Sequence, residues 1–147
     1  MGALDFLQDV RFTLATERIT QRWRGEGKPV FRYLVDEANP WQPSSRAHHA
    51  VDLPLVFGGY DLSFSPSASK VSALMSQKWI EFVAGLEPWQ PSDYFAFGPL
   101  GESKPINEDG FATRRRGRQC RALHMCDQKE LDNVWKALAA DNISLEN

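Results

Sequence analysis

Two adjacent histidines, His48 and His49, lie in the polar segment 46–52, and an apolar run over residues 53–57 follows them directly. An imidazole titrates near neutral pH, so it can take a proton from a hydroxyl and return it to a leaving group. The pair comes soon after the strand-like stretch 30–35, and loops beyond core strands often carry the chemistry of α/β proteins. The pattern therefore indicates a general acid–base residue on a loop.

A serine nucleophile for this histidine is missing from the sequence. Such a serine usually occupies a Gly-x-Ser-x-Gly elbow between a strand and a helix, and the chain has no such motif. The stretch 101–105 begins one, but Pro105 stands where the last glycine belongs, and we expect no helix to follow. Ser103 is therefore a poor candidate, and one copy of the chain cannot supply a complete Ser–His–acid site.

The composition is that of an ordinary soluble protein and predicts a single domain over residues 1–147. Hydrophobic residues make up 42% of the chain and charged residues 24%, with a formal net charge of −2. This charge argues against nucleic acid as a partner. A local arginine cluster, Arg114 to Arg116 with Arg118 and Arg121, could bind phosphate, but a solvated helix face or an ion-pair network explains such a run more often.

The sequence contains no motif that indicates a bound cofactor, a metal site or a membrane-spanning segment. The two cysteines, Cys120 and Cys126, match no zinc or thioredoxin spacing, so we expect free, partly buried thiols. No run approaches the length of an apolar membrane span, and the first residues lack the pattern of a signal peptide. We therefore expect no cofactor, no metal and a cytoplasmic protein.

Periodicity predicts three helices and two strands. Apolar spacing indicates a helix over 4–24, Ser65-Pro66 opens a second helix that Gly85 closes, and Asp127 opens a third with Glu130 in a capping box. Residues 30–35 form a strand covered on both faces, residues 36–45 a loop, and residues 94–97 a strand that the nearby prolines place at a sheet edge. A basic linker or helix is expected over 111–125.

The chain resembles the C-terminal part of a type B carboxylesterase, a large α/β hydrolase, and within that family the fungal esterases. The match lies in residues 28–34 and Asn39-Pro40-Trp41, and then in His49, the acidic Asp52 three residues later, and Val56-Phe57-Gly58. Trp79 and Phe82 on the following helix and Phe97-Gly98-Pro99 extend the resemblance over residues 4–112. Members of this family are several times longer, so the chain corresponds to roughly their last quarter.

The resemblance implies that His49 is the catalytic histidine, which exchanges a proton with the serine and the leaving alcohol. His48 does not align with it, and Asp52 matches an acidic position that helps to fix the histidine loop. Asp36 could orient His49 by proximity. The triad acid and the oxyanion-hole glycines would lie upstream of Met1, so we expect no esterase activity from the chain alone.

The resemblance also implies a partial α/β-hydrolase fold, in which a few strands are flanked by about three to four helices. The strand at 30–35 would lack a neighbour, and exposed apolar strand edges recruit other chains. We therefore expect completion by oligomerisation, as a homo-oligomer or a hetero-complex through this edge.

Two other functions remain open. The chain could bind a small apolar ligand, an ester or a protein partner without catalysis, with aromatic residues of the loops lining a pocket: Trp41, Trp89, Tyr94, Phe95 and Phe97. The same residues serve equally well as core and loop anchors. Alternatively, His48, His49 and Asp52 could support serine-free acid–base chemistry, such as isomerisation or cyclisation in specialised metabolism.

Overall fold

A computed structural model describes residues 2–45, 47 and 50–140, and contacts within the chain divide it into two units. One unit joins residues up to Val30 with those from Gly110 onward, and the other runs from Phe31 to Asp109. The prediction of one domain stays a prediction. In chain order the elements are α1 (Ala3–Gln8), a π-helical turn (Asp9–Thr13), α2 (Leu14–Gly25), β1 (Arg32–Val35), a 3-10 turn (Pro43–Ser45), α3 (Asp52–Phe57), α4 (Pro66–Val83), β2 (Tyr94–Phe97), β3 (Ser103–Ile106), α5 (Glu108–Arg114), α6 (Gly117–His124) and α7 (Gln128–Ala140).

The unit built from both ends of the chain is helical. Its core joins the N-terminal helices to the last two helices, with Val10, Leu14, Leu123 and Leu131 buried together. The predicted helix over 4–24 is confirmed, although a π-helical turn interrupts it at Asp9–Thr13. Asp127 Oδ1 accepts hydrogen bonds from the amides of Lys129 and Glu130, so the predicted start of α7 is also confirmed.

An ion-pair cluster stabilises this helical unit. Arg116 donates two hydrogen bonds to the buried Asp9, at 2.9 and 2.8 Å, and a third to Asp5 at 2.9 Å. Hydrogen bonding to Asp9 raises the pKa of Arg116, which keeps the guanidinium charged. This residue of the arginine cluster is thus part of an ion-pair network, the more common role for such a run.

The second unit contains a three-stranded sheet in the order β1-β2-β3. β1 pairs with β2 in parallel, with Arg32 opposite Tyr94 and Val35 opposite Phe97, whereas β2 and β3 are antiparallel. The connection from β1 to β2 carries α3 and α4, as parallel pairing requires. The core between these helices and the sheet contains Leu55, Val71 and Met75 from the helices and Phe97 from β2, all buried.

Two sequence expectations are wrong. β2 is the central strand, and its four residues are all buried. The prolines near β2 lie outside its span. The strand that contains a proline is β3, with Pro105, and it lies at the edge of the sheet, where the missing N–H of proline breaks the fewest strand hydrogen bonds. The helices also exceed the three to four expected, because the arginine-rich stretch forms α5 and α6 and the apolar run after the histidines forms α3. The coarser expectation, a mixed α/β fold, is confirmed.

Candidate functional site

The candidate site is the segment that carries the histidines in the sequence, between the end of β1 and the start of α3; its described turn is Ala50-Val51. His48 and His49 themselves lie outside the described residues, as does Arg46. Ala47 and residues 50–52 are described, so the structure shows the backbone from Ala50 into α3.

Ala50, the residue directly after His49, adopts a left-handed backbone conformation with φ of 65°. This conformation is less favourable for alanine than the right-handed one by about 1–2 kcal/mol, because the Cβ crowds the following carbonyl. The carbonyl of Ala50 accepts a hydrogen bond from the amide of Leu53 at 3.2 Å. Such strain persists only where the surrounding structure holds it, and it often accompanies functional sites.

Three sets of contacts anchor α3, which follows this strained residue. The first is burial, since Val51 directly before the helix is buried and Leu55 within it is fully buried. Two serines of α4 bind the end of α3, since Ser72 Oγ donates to the carbonyl of Leu55 at 2.7 Å and Ser76 Oγ to that of Val56 at 2.6 Å. The apolar run therefore buries only one face, and Phe57 remains exposed.

The third anchor joins α3 to the sheet. Tyr33 on β1 donates a hydrogen bond from its hydroxyl to Asp52 Oδ2 at 3.3 Å. Burial, with smaller contributions from Asp52, raises the pKa of Tyr33 to about 12, so its hydroxyl remains a donor at neutral pH. Asp52 stands three residues after His49 and in the first turn of α3, where a negative charge is favourable.

Asp36 and Glu37 occupy the end of β1, where parallel strands of α/β proteins often place functional groups. The amides of both residues donate to the carbonyl of Phe97, at 2.7 and 3.2 Å. Glu37 is buried, and its carboxylate accepts the amide of Gly101 at 2.9 Å. This contact ties the end of β1 to the turn after β2, so Glu37 has a structural partner; the role of Asp36 toward His49 stays a prediction.

Ser103 lacks the geometry of a nucleophile. It is the first residue of β3 and pairs across from Phe97, so it does not stand on a strand-to-helix elbow. Its hydroxyl oxygen is shielded from solvent and has no hydrogen-bond partner among the described residues.

A second titratable cluster lies in the helical unit, and it does not make a nucleophile. His124 Nε2 contacts Glu17 Oε2, and Cys120 stands one turn before His124 on α6. The Cys120 residue is 3% exposed, and burial raises the pKa of its thiol to about 11, with smaller contributions from Asp9 and Glu17. The thiol is therefore protonated at neutral pH and inert. Both cysteines are free, and Cys126 is exposed.

Within the described part of the chain, no group of three or more His, Cys, Asp or Glu side chains is arranged to hold a metal ion. In the same residues, no helix combines the length and the apolar character needed to cross a bilayer.

Sequence reasoning missed the residues that hold the turn, namely Tyr33, Ser72 and Ser76. The serines had a detectable signal, because they are four apart on α4 and flank Val71 and Met75 on its buried side. Tyr33 had none, since its partner is 19 positions away along the chain. Of the aromatic residues proposed as pocket lining, Tyr94, Phe95 and Phe97 are buried in the core.

Comparison with known proteins gives a partial relationship to lipases. Over 88 residues the chain is 34% identical to Lipase 3 of Yarrowia lipolytica, a match that covers 59% of this chain and 17% of Lipase 3. Over 84 residues it is 30% identical to Lipase 1 of the same organism, covering 57% of this chain and 17% of that protein. No family model and no solved structure matches the chain. The chain thus contains a lipase- or esterase-related region and spans about 17% of the length of these relatives.

Proposed function

We propose that the chain is the histidine-bearing part of a carboxylic ester hydrolase of the type B carboxylesterase kind, with His49 as its acid–base residue. The similarity to the two lipases carries this proposal. The anchors of α3, which begins three residues after His49, also support it, because acid–base catalysis needs well-positioned groups.

In this proposal, hydrolysis needs a serine and an acid from outside these 147 residues. His49 would accept the serine proton as the hydroxyl attacks the ester carbonyl, and it would then protonate the departing alcohol. Water would next attack the acyl-serine and give its proton to His49, and His49 would return this proton to the serine oxygen as the acyl–serine bond breaks and the carboxylic acid leaves. Asp52 would hold the turn through Tyr33 and would not act as the triad acid.

A chimera tests this assignment. The matching 88 residues of Lipase 3 are replaced by those of this chain, and turnover of a chromogenic short-chain ester is measured. We expect His49→Ala to lower turnover by a factor on the order of 10⁴–10⁶, and the matched control His48→Ala to change it only slightly. Sensitivity to His48→Ala with indifference to His49→Ala would overturn the assignment.

The purified chain alone provides the complementary assay. We expect it to show no turnover of the same ester that depends on His49, since it has no serine elbow. Turnover that His49→Ala abolishes would contradict this expectation and would place the nucleophile within the chain itself.

A second candidate function is binding without catalysis, of a partner chain or of a small ligand. Partner binding is favoured by β1, whose outer edge has no strand partner among the described residues. Exposed apolar side chains on α4, including Ile80 and Val83, add surface that a partner could cover. Sedimentation of the full chain tests self-association through this edge, and a compact monomer at all concentrations would count against it.

A further inference from the structure

A small aromatic pocket lies between β1, the C-terminal half of α4 and the segment before β2. Its volume is about 180 Å³, and seven of the described residues line it: Phe31, Tyr33, Lys78, Trp79, Phe82, Pro88 and Trp89. All seven belong to the unit that contains the sheet, and none of them belongs to the histidine turn. The described lining of the pocket therefore lies within one unit.

The lining rings meet edge to face and leave part of their surface open. Phe31 contacts Phe82 with centroids 5.9 Å apart and Trp89 at 6.1 Å, and Tyr33 contacts Trp79 at 6.1 Å. Trp79 remains 36% exposed and Phe82 49% exposed, so these rings reach solvent at the rim. Partly open aromatic rings around a concave space are typical of sites for small ligands.

The polar groups of the lining residues are hydrogen-bond donors. Lys78 contributes an ammonium group, which already pairs with Glu81 at 2.8 Å and keeps further N–H donors. Trp89 has an indole nitrogen that is shielded from solvent and has no hydrogen-bond partner among the described residues. The hydroxyl of Tyr33 is committed to Asp52. No described lining residue carries a carboxylate, so the donors that remain free favour a ligand that brings acceptor oxygens.

We propose that this pocket binds a small aromatic carboxylate. A cavity of about 150 Å³ accommodates a benzene ring, so the volume here suits one ring. The ring packs against Phe31, Trp79 and Phe82, and the carboxylate accepts a hydrogen bond from the ammonium of Lys78. This inference deepens the ligand-binding candidate of the proposed function and does not depend on ester hydrolysis.

Three probes with the same ring test the proposal on the full chain. Benzoate, toluene and benzylamine are titrated by calorimetry, and benzoate is expected to bind at least tenfold more tightly than the other two. Lys78→Met is expected to weaken benzoate at least tenfold and to leave toluene unchanged. Lys70→Met, an exposed lysine on the same helix, is the matched control and is expected to keep the benzoate affinity.

A measurement on the unmodified chain keeps the test independent of how the variants fold. Benzoate is expected to shift the indole N–H signal of Trp89 in a nitrogen–proton correlation spectrum, while the signal of Trp41, outside the pocket, stays in place. Equal binding of the three probes, no binding of benzoate, or an unmoved Trp89 signal would overturn the proposal. The ester assays compare His49→Ala with His48→Ala, whereas this test compares Lys78→Met with Lys70→Met, so the failure of one proposal can be told from the failure of the other.

Discussion

The hydroxyl of Tyr33 hydrogen-bonds a carboxylate oxygen of Asp52 over 3.3 Å and so joins β1 to the first turn of α3. The same tyrosine packs edge to face on Trp79 and on Phe97. One side chain therefore touches the sheet core, the aromatic pocket and the helix that follows the histidines.

Tyr33→Phe is expected to change how stability depends on alkaline pH. The pKa of Tyr33 is about 12 in the folded chain against an ordinary 10.0, so from pH 10 to 12 only the unfolded chain loses this proton. The free energy of unfolding then falls as pH rises, by up to about 2 kcal/mol for this partly solvated group. Chemical denaturation at stepped pH measures the fall, which Tyr33→Phe should largely remove. Tyr60→Phe, at an exposed tyrosine, should keep it.

Gly98→Ala is expected to destabilise the unit that contains the sheet. Gly98 has φ of 90°, and an added Cβ would lie 2.7 Å from the Cα of Glu37. Overpacking of this kind costs about 1–3 kcal/mol, beyond about 1 kcal/mol for the backbone conformation. Gly85→Ala is the control, because Gly85 has φ of 79° and open space around it. Urea denaturation should show the larger loss for Gly98→Ala, and equal losses would contradict the close approach to Glu37.

Arg116→Met is expected to cost about 3–5 kcal/mol, since it leaves the buried carboxylate of Asp9 unpaired. Adding Asp9→Asn removes that charge and should recover part of the loss, so the double-mutant cycle should show coupling of about 0.5–3 kcal/mol. Arg22→Met is the matched control, because Arg22 pairs with Glu26 on the surface and should matter by less than about 1 kcal/mol. Additive effects of the changes at Arg116 and Asp9 would show that the pair does not act as a unit.

The two thiols should react at very different rates. Cys126 is exposed, whereas burial shields Cys120 and raises the pKa of its thiol to about 11. Titration with Ellman's reagent at pH 8 should therefore give one fast thiol, and Cys126→Ser should remove it. Full reactivity of Cys120 should return in denaturant. Rapid labelling of native Cys126→Ser would contradict the buried environment of Cys120.

Local patterns predicted elements well where neighbours along the chain decide the structure. Ser65-Pro66 at the start of α4 and Asp127 before α7 are short-range signals, and both helices begin where these residues indicate. The position of β2 in the sheet escaped prediction, because it depends on pairing with β1 and β3 and not on the prolines beside it.

The sequence predicted the residue types of the candidate site, but it did not predict the side chains that anchor the neighbouring helix α3. The order His49, Asp52 and the apolar run indicated the turn, but nothing local tells that Tyr33 is the partner of Asp52. Likewise, Arg116 and Asp9 are 107 positions apart, so the periodicity of a helix or a strand cannot predict that they pair. The histidines themselves lie outside the described residues, and the role of His49 stays a prediction.

The division of the chain into two units has a consequence for synthesis. Residues 31–109 form an uninterrupted unit, so every partner in it is synthesised before α6 and α7. In the helical unit, by contrast, Val10 and Leu14 pack against Leu123 and Leu131, which are synthesised after that uninterrupted unit. During translation Val10 and Leu14 therefore lack these partners until residues 110–140 have been made, so the core of the helical unit forms after the unit that contains the sheet has been synthesised.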